Sequence, residues 1–292
     1  MANLQALRRK IGSVKSTQKI TKAMKLVAAS KLRRAQQRIL AFRPYGQELR
    51  RVLANLSGRV NQSVHPLFQK RPVKIIQVTV VTSDRGLCGA FNMNVIRKAT
   101  QMIQKCEETG AKVIVGVVGR KGNEYFRRRH WPIRDPNVNV FDRLTYEHAL
   151  EVGWAAVEAF TAGAFDEGYI VYNEFKNVVQ QQVVVDKVFP IEPLKEFGAA
   201  EAPAPSGGGY LYEPDQEELL GTLLPKYAQG QVFRILLESS AAEQSARMAA
   251  MDGATRNAGE LIKQLSLKYN RSRQETITKE LMDIVGGAEA LK

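Results

Sequence analysis

Apolar positions at the start of the chain recur at helical spacing. Leu4, Leu7, Ile11 and Val14 fall every three or four residues, and after a polar step at Thr17 the series resumes through Ile20, Met24, Val27 and Ala28. Gly12 is the one glycine before Pro44, the first proline. The pattern therefore predicts a helix of about 40 residues, roughly 60 Å long. A helix of that length cannot bury its own stripe and needs a long partner. The other end of the chain supplies one. Between Gln231 and Ala288 there is no proline, and Leu237, Ala241, Met248, Met251, Ala254, Ala258, Leu261, Leu265, Tyr269, Ile277, Leu281, Ile284 and Ala288 keep mostly the same steps. Alanines at 241, 242, 246, 249 and 250 would let two backbones approach closely. The simplest closure is an antiparallel two-helix coiled coil made of the two termini. A compact bundle is the alternative, but its helices average far shorter.

Between these segments the period changes from 3.6 to two. Val73–Thr82, Lys112–Val118 and Tyr169–Tyr172 read as strands, with helical stretches at Asn92–Glu108, Gly119–Arg129 and Thr145–Ala164. This alternation predicts a mainly parallel sheet with crossover helices. Asn173–Asn177 followed by Val178–Phe189 reads as a hairpin adding an antiparallel edge. Phe197–Gly209 is an Ala/Pro/Gly stretch read as a surface loop, and Tyr210–Tyr212 could return to the sheet. A short helix, Asp215–Leu224, is expected next, separated from the long one by Pro225 and Gly230. The fold class is thus α/β: a long antiparallel two-helix coiled coil with an inserted Rossmann-like domain. The expected division is 1–60, 70–212 and 213–292.

Charge changes this picture. Residues 1–55 hold 14 of the chain's 43 Lys and Arg but one acid, Glu48, so they carry nearly all of the net charge of +14. An acidic partner for the first helix is implied. A basic helix feeding a coiled coil also describes leucine-zipper DNA binders, yet here the basic residues overlap the seam instead of preceding it. An organelle transit peptide is a further alternative, but the periodicity runs smoothly past residue 40. No window approaches 18 consecutive apolar residues, so no direct membrane insertion is expected.

Candidate chemistry is sparse. Cys88 and Cys106 are not closely spaced, and His65, His130 and His148 lie far apart, so no metal site is expected. The loop Ser83–Asn92 leads from a strand into a helix, where phosphate can bind. Its glycines, Gly86 and Gly89, have neither dinucleotide nor P-loop spacing. Gly119–Gly122 reads as a strand-to-helix turn. No catalytic residue and no cofactor site are expected.

Three stretches resemble the gamma subunits of F-type ATP synthases. Thr17–Lys31 is similar to that family's N-terminal helix motif, and Ser83–Asn92 to its SDRGLCG segment. The third comprises Glu243–Met251, Ala254–Ala258, Tyr269-Asn270, Arg273-Gln274 and the pattern Ile277-Thr278-x-Glu280-x-x-Asp283-x-x-x-Gly287-Ala288. The likeness covers essentially the whole chain.

The resemblance implies a non-catalytic rotor shaft. Its coiled coil would enter a hexamer of alpha and beta subunits, and its α/β domain would join the epsilon subunit and the membrane c-ring, coupling ion flow to ATP synthesis or hydrolysis at beta. Nucleic acid would not be a partner. Peripheral placement on the cytoplasmic face of a bacterial plasma membrane would follow. Arg8, Arg9 and Lys25 would face an acidic lever of beta, Met24 would pack near it, and Arg85 would meet it. Arg273 and Gln274 would bond a beta loop higher on the shaft, with Thr278 and Glu280 completing an upper polar patch. The closely spaced cysteines of a photosynthetic regulatory insert are absent, so thiol control is not expected. No role follows for residues 198–209.

Overall fold

The computed structural model describes residues 2–57, 65–177, 180–192 and 215–289. The Ala/Pro/Gly stretch at 198–209 and the expected return strand at Tyr210–Tyr212 lie outside the described residues. In chain order the elements are α1 (Ala2–Ser57), β1 (Ile75–Val81), α2 (Phe91–Glu108), β2 (Lys112–Val118), α3 (Arg120–Phe126), β3 (Ile133–Asn137), α4 (Tyr146–Thr161), β4 (Glu167–Phe175), β5 (Gln181–Phe189) and α5 (Gln216–Glu289). Two compact units emerge: Ser30–Ala246, and Met1–Ala29 with Arg247–Lys292. The division falls within the two long helices because residues 30–57 and 216–246 bury their apolar faces in the first unit.

In the unit Ser30–Ala246 five strands form one sheet in the order β3-β2-β1-β4-β5. The pairs β1–β2, β1–β4 and β2–β3 are parallel, and β4–β5 is antiparallel. Alternation along β1 sorts the two faces. Ile76, Val78 and Val80 join Val95, Ile96, Ala99 and Ile103 of α2 on one side. Val81, Ile170 and Tyr172 meet Val232, Ile235 and Leu236 of α5 on the other. Lower on the helices, Leu53 and Leu56 of α1 and Leu220, Leu224 and Ala228 of α5 pack with Phe160, Phe165 and Phe189. A polar clamp fastens α5 to the sheet. Arg234 donates to Asp186 of β5 at 3.0 Å and to Glu238 at 3.1 Å, while the Tyr172 hydroxyl donates to Asp186 at 2.9 Å.

Two expectations are corrected here. Asp215–Leu224 is not a separate helix: Asp215 Oδ1 caps the N-H groups of Glu217 and Glu218, and α5 runs unbroken through Pro225 and Gly230. Proline inside a helix costs about 3 kcal/mol, but Leu220, Leu224 and Ala228 lie on one stripe across it, and burying two leucines at about 1.5–3 kcal/mol each offsets that. In the same way α1 passes through Pro44, where Leu40, whose carbonyl loses its donor, is exposed to water. Finally, the strand β3 was not expected. Its sequence, IRDPN, contains a proline and places Asp135 at φ 47°, and it survives as an edge strand with a register shift opposite Gly116/Val117.

The unit of terminal helices is an antiparallel pair. Lys25 lies opposite Asp252, Thr21 opposite Thr255, and Gln18 beside Gly259. The inward stripe of α1, buried at Leu7, Thr21 and Ala28 and half-buried elsewhere, keeps strict three-four steps through Leu4, Leu7, Ile11, Val14, Gln18, Thr21, Lys25 and Ala28. The expected resumption through Ile20 and Val27 is therefore wrong. Those two are 59% and 57% exposed, while the polar Gln18 and Thr21 hold the seam. On α5 the matching stripe is Met248, Met251, Thr255, Ala258, Ile262, Leu265 and Tyr269.

Candidate subunit-docking surfaces

The helix pair carries eight of the nine expected contact residues. Arg8 and Arg9 are exposed on α1, along with Lys10, Lys15, Lys19 and Lys22, and residues 4–29 contain no acid. This stretch of α1 therefore presents a nearly unbroken positive field, strongest at low ionic strength. Met24 is half-buried at the edge of the seam.

Lys25 is placed differently from its neighbours. Its ammonium donates to Asp252 Oδ1 at 2.5 Å across the pair, next to the Thr21–Thr255 hydroxyl contact of 2.8 Å and the Gln18 amide, which donates to the Thr255 carbonyl at 3.4 Å. Three polar positions in a row give up apolar burial, and each has one partner that fits, which fixes the register of the two helices. The hydrogen bond from Lys25 holds the Asp252 carboxyl below the usual aspartate range. A depressed carboxyl stabilises the folded state above its unfolded-state pKa, and that contribution is lost as pH falls through the folded value. In circular-dichroism melts, the stability gap between the chain and Asp252→Asn should be complete at neutral pH and should close in acid below the ordinary aspartate range.

Extending this register sets Arg273 and Gln274 opposite the first turn of α1 and leaves Thr278 and Glu280 beyond its end. All four are exposed, and so is every described side chain from Ile277 to Gly286. That last stretch carries exposed apolar side chains among its charged ones: Ile277, Leu281, Met282, Ile284 and Val285 are 51–71% exposed. Farther down, Ile20, Leu26 and Val27 are exposed on α1. Exposed apolar side chains grouped in this way are of the kind that interaction sites carry.

Arg85, the ninth residue, belongs to the α/β unit, in the loop between β1 and α2. Buried Asp84 organises that loop: Oδ1 accepts from the backbone N-H groups of Arg120 at 3.0 Å and Asn139 at 2.7 Å, and Oδ2 from that of Phe141 at 3.0 Å. Ser83 Oγ donates to the Arg85 carbonyl at 2.6 Å, and Asn92 Oδ1 accepts from the Ser83 N-H at 2.9 Å. Leu87 takes φ 63° and Gly89 φ 59°, which turns the chain sharply. A rigid loop results, from which Arg85 projects with its guanidinium 3.0 Å from Asp142, and Leu87 projects 64% exposed.

In a parallel α/β sheet a ligand would enter at the carboxyl ends of β1 and β4, where the strand order reverses. Here Cys88 and Phe91 pack there against Ala242 of α5, with Phe175 and Ala246 beside them, and Asn173 donates to the Phe91 carbonyl at 3.2 Å. Asp84 takes up the N-H groups of Arg120, Asn139 and Phe141 beside it. Gly119 serves packing: it takes φ 96°, and a Cβ there would lie 2.1 Å from the Thr82 carbonyl oxygen. Among the described residues there is no group of three or more potential metal ligands.

The family model described as ATP synthase matches residues 3–291. An ATP synthase gamma chain from Chlorobium chlorochromatii is 48% identical over all of this chain and 99% of its own length; that of Chloroherpeton thalassium is 45% identical over the same shares. The chain belongs to the family of ATP synthase gamma chains. A gamma chain is a non-catalytic subunit of the complex. Among solved structures, the central stalk and c-ring of Tetrahymena thermophila mitochondrial ATP synthase matches with TM-score 0.59 and 25% identity, covering 80% of this chain and 99% of that one. A Euglena gracilis mitochondrial ATP synthase structure matches with TM-score 0.69 and 20% identity, covering 99% of this chain and 95% of that one, and shares its fold.

Sequence reading did not find Asp84, Leu87, Asp142 or Asp252. The first has a local signal, a short acid between a strand and a turn. The pairings of Lys25 with Asp252 and of Arg85 with Asp142 depend on register and topology that no local pattern states.

Proposed function

We propose that this chain turns as the shaft inside the catalytic hexamer of a bacterial ATP synthase, with its helix pair among the alpha and beta subunits and its α/β unit toward epsilon and the c-ring. The observation that carries the reading is the helix pair itself: it has a basic face on α1, an exposed apolar end on α5 and a different residue set on every side. Three identical beta subunits cannot meet the same face of such an object together. Each is then biased toward a different nucleotide affinity by the contact energy it alone receives, and a third of a turn exchanges the three states. Arg8, Arg9 and Arg85 attract an acidic lever on beta through long-range charge, which engages without fixing one angle. Met24 and Lys25 sit where that lever slides, Met24 through its flexible apolar side chain. Arg273, Gln274, Thr278 and Glu280 meet beta higher up. No described helix is long and apolar enough to cross a membrane, and attachment at the cytoplasmic face comes through the c-ring.

The test is reconstitution of the chain with purified alpha and beta subunits. Intact gamma should yield a cooperative ATPase, while gamma alone should not hydrolyse ATP. Removing residues 277–292 should leave the melting of gamma within about 0.5 kcal/mol, because described side chains there are exposed, yet slow hydrolysis by the complex. Equal activity with and without gamma contradicts the proposal.

A further inference from the structure

Within the α/β unit the stripe of α1 opens and closes again. Leu32 and Ala35 are buried, as are Leu53 and Leu56, whereas Ile39, Phe42, Gly46 and Leu49 between them are only half-buried. The gap is a cleft of about 480 Å³ between α1 and α5, within the size range of small-molecule sites. Two glycines hold it open. A Cβ on Gly46 or Gly230 would come no nearer than 3.6 Å to any neighbour, the Phe42 ring in both cases. Alanine would fit at either place and make a better helix, so what glycine supplies there is space.

The walls are mixed: Ile39, Phe42, Leu49 and Leu237 give an apolar patch, and Gln47, Tyr227 and Gln231 add polar groups. The charge is mostly of one sign. Arg43 and Arg50 line the cleft from α1, two turns apart, and Arg234 lines it from α5. Glu238 is the one acid among the lining residues, and it accepts from Arg234 at 3.1 Å. A slot with an apolar patch and two guanidinium groups on its α1 wall suits a molecule with an alkyl body and an anionic head.

We propose that this cleft binds a single-chain alkyl anion, a medium-chain carboxylate, with its head at Arg43 and Arg50 and its chain against Phe42 and Leu237. Calorimetric titration of the full chain below the micelle threshold tests this with dodecanoate, with uncharged dodecyl maltoside and with acetate. Dodecanoate should bind one-to-one and at least tenfold tighter than either control. Gly230→Leu and Gly46→Leu, each filling the cleft, should abolish binding. Arg43→Gln, an exposed change that leaves the fold intact, should weaken it several-fold at low salt. Equal affinity for dodecyl maltoside overturns the proposal, and so does unchanged binding by Arg43→Gln. Binding that disappears in the assembled ATP synthase also overturns it, because the cleft would then be a surface between subunits.

Discussion

Replacing Asp84 by alanine is expected to destabilise the α/β unit by about 3–5 kcal/mol. The carboxylate is buried and accepts three backbone N-H groups from two other loops. Removing it leaves three donors short of a partner, each costing about 1–3 kcal/mol before relaxation and water entry reduce the sum. Urea denaturation followed by near-ultraviolet circular dichroism reads this as a large fall in midpoint. Asp84→Asn should recover part of the loss, since its carbonyl oxygen can still accept while its amide repels at least one N-H. Loosening this loop also releases Arg85, so a complex carrying the alanine variant should lose activity even at temperatures where gamma stays folded.

The second large effect lies on the basic face of α1. Arg8→Glu with Arg9→Glu exchanges two exposed cations for two anions in a stretch that has no acids. Association with the alpha–beta hexamer should slow by at least about tenfold at low salt, and the difference should shrink as salt screens the field. Helical content and melting of the isolated chain should stay near those of the parent, since both side chains point to water. Stopped-flow measurement of association across a salt series separates this electrostatic effect from a packing defect, which salt would not cure.

The parts of the fold visible in the sequence are those where local preference and tertiary packing agree. Lys112–Val118 is a β-branched run between turn residues, and its strand has the expected bounds. The hairpin of β4 and β5 and the two long helices were visible for the same reason. The misses occur where packing overrides local preference. Buried leucines carry α5 through Pro225, and β2 carries the unpromising IRDPN as an edge strand. The seam of α1 is the most instructive case. Ile20 and Val27 are apolar and were read as facing α5, yet polar Gln18, Thr21 and Lys25 face it. Apolarity alone does not say which surface covers a side chain, and within this chain Ile20 and Val27 stay exposed. The expected contact residues were named from family likeness; the partners of Lys25 and Arg85 within this chain, Asp252 and Asp142, needed the register of the helices and the topology of the sheet.

The central claim is that this chain turns relative to the hexamer while beta hydrolyses ATP. The most direct measurement fixes alpha and beta to a surface and attaches a bead to an exposed position of the α/β unit, for which Glu108→Cys at the end of α2 is suitable. On addition of ATP the bead should rotate in one direction, pausing every third of a turn. Steady hydrolysis with a bead that only jitters about a fixed angle would contradict the account.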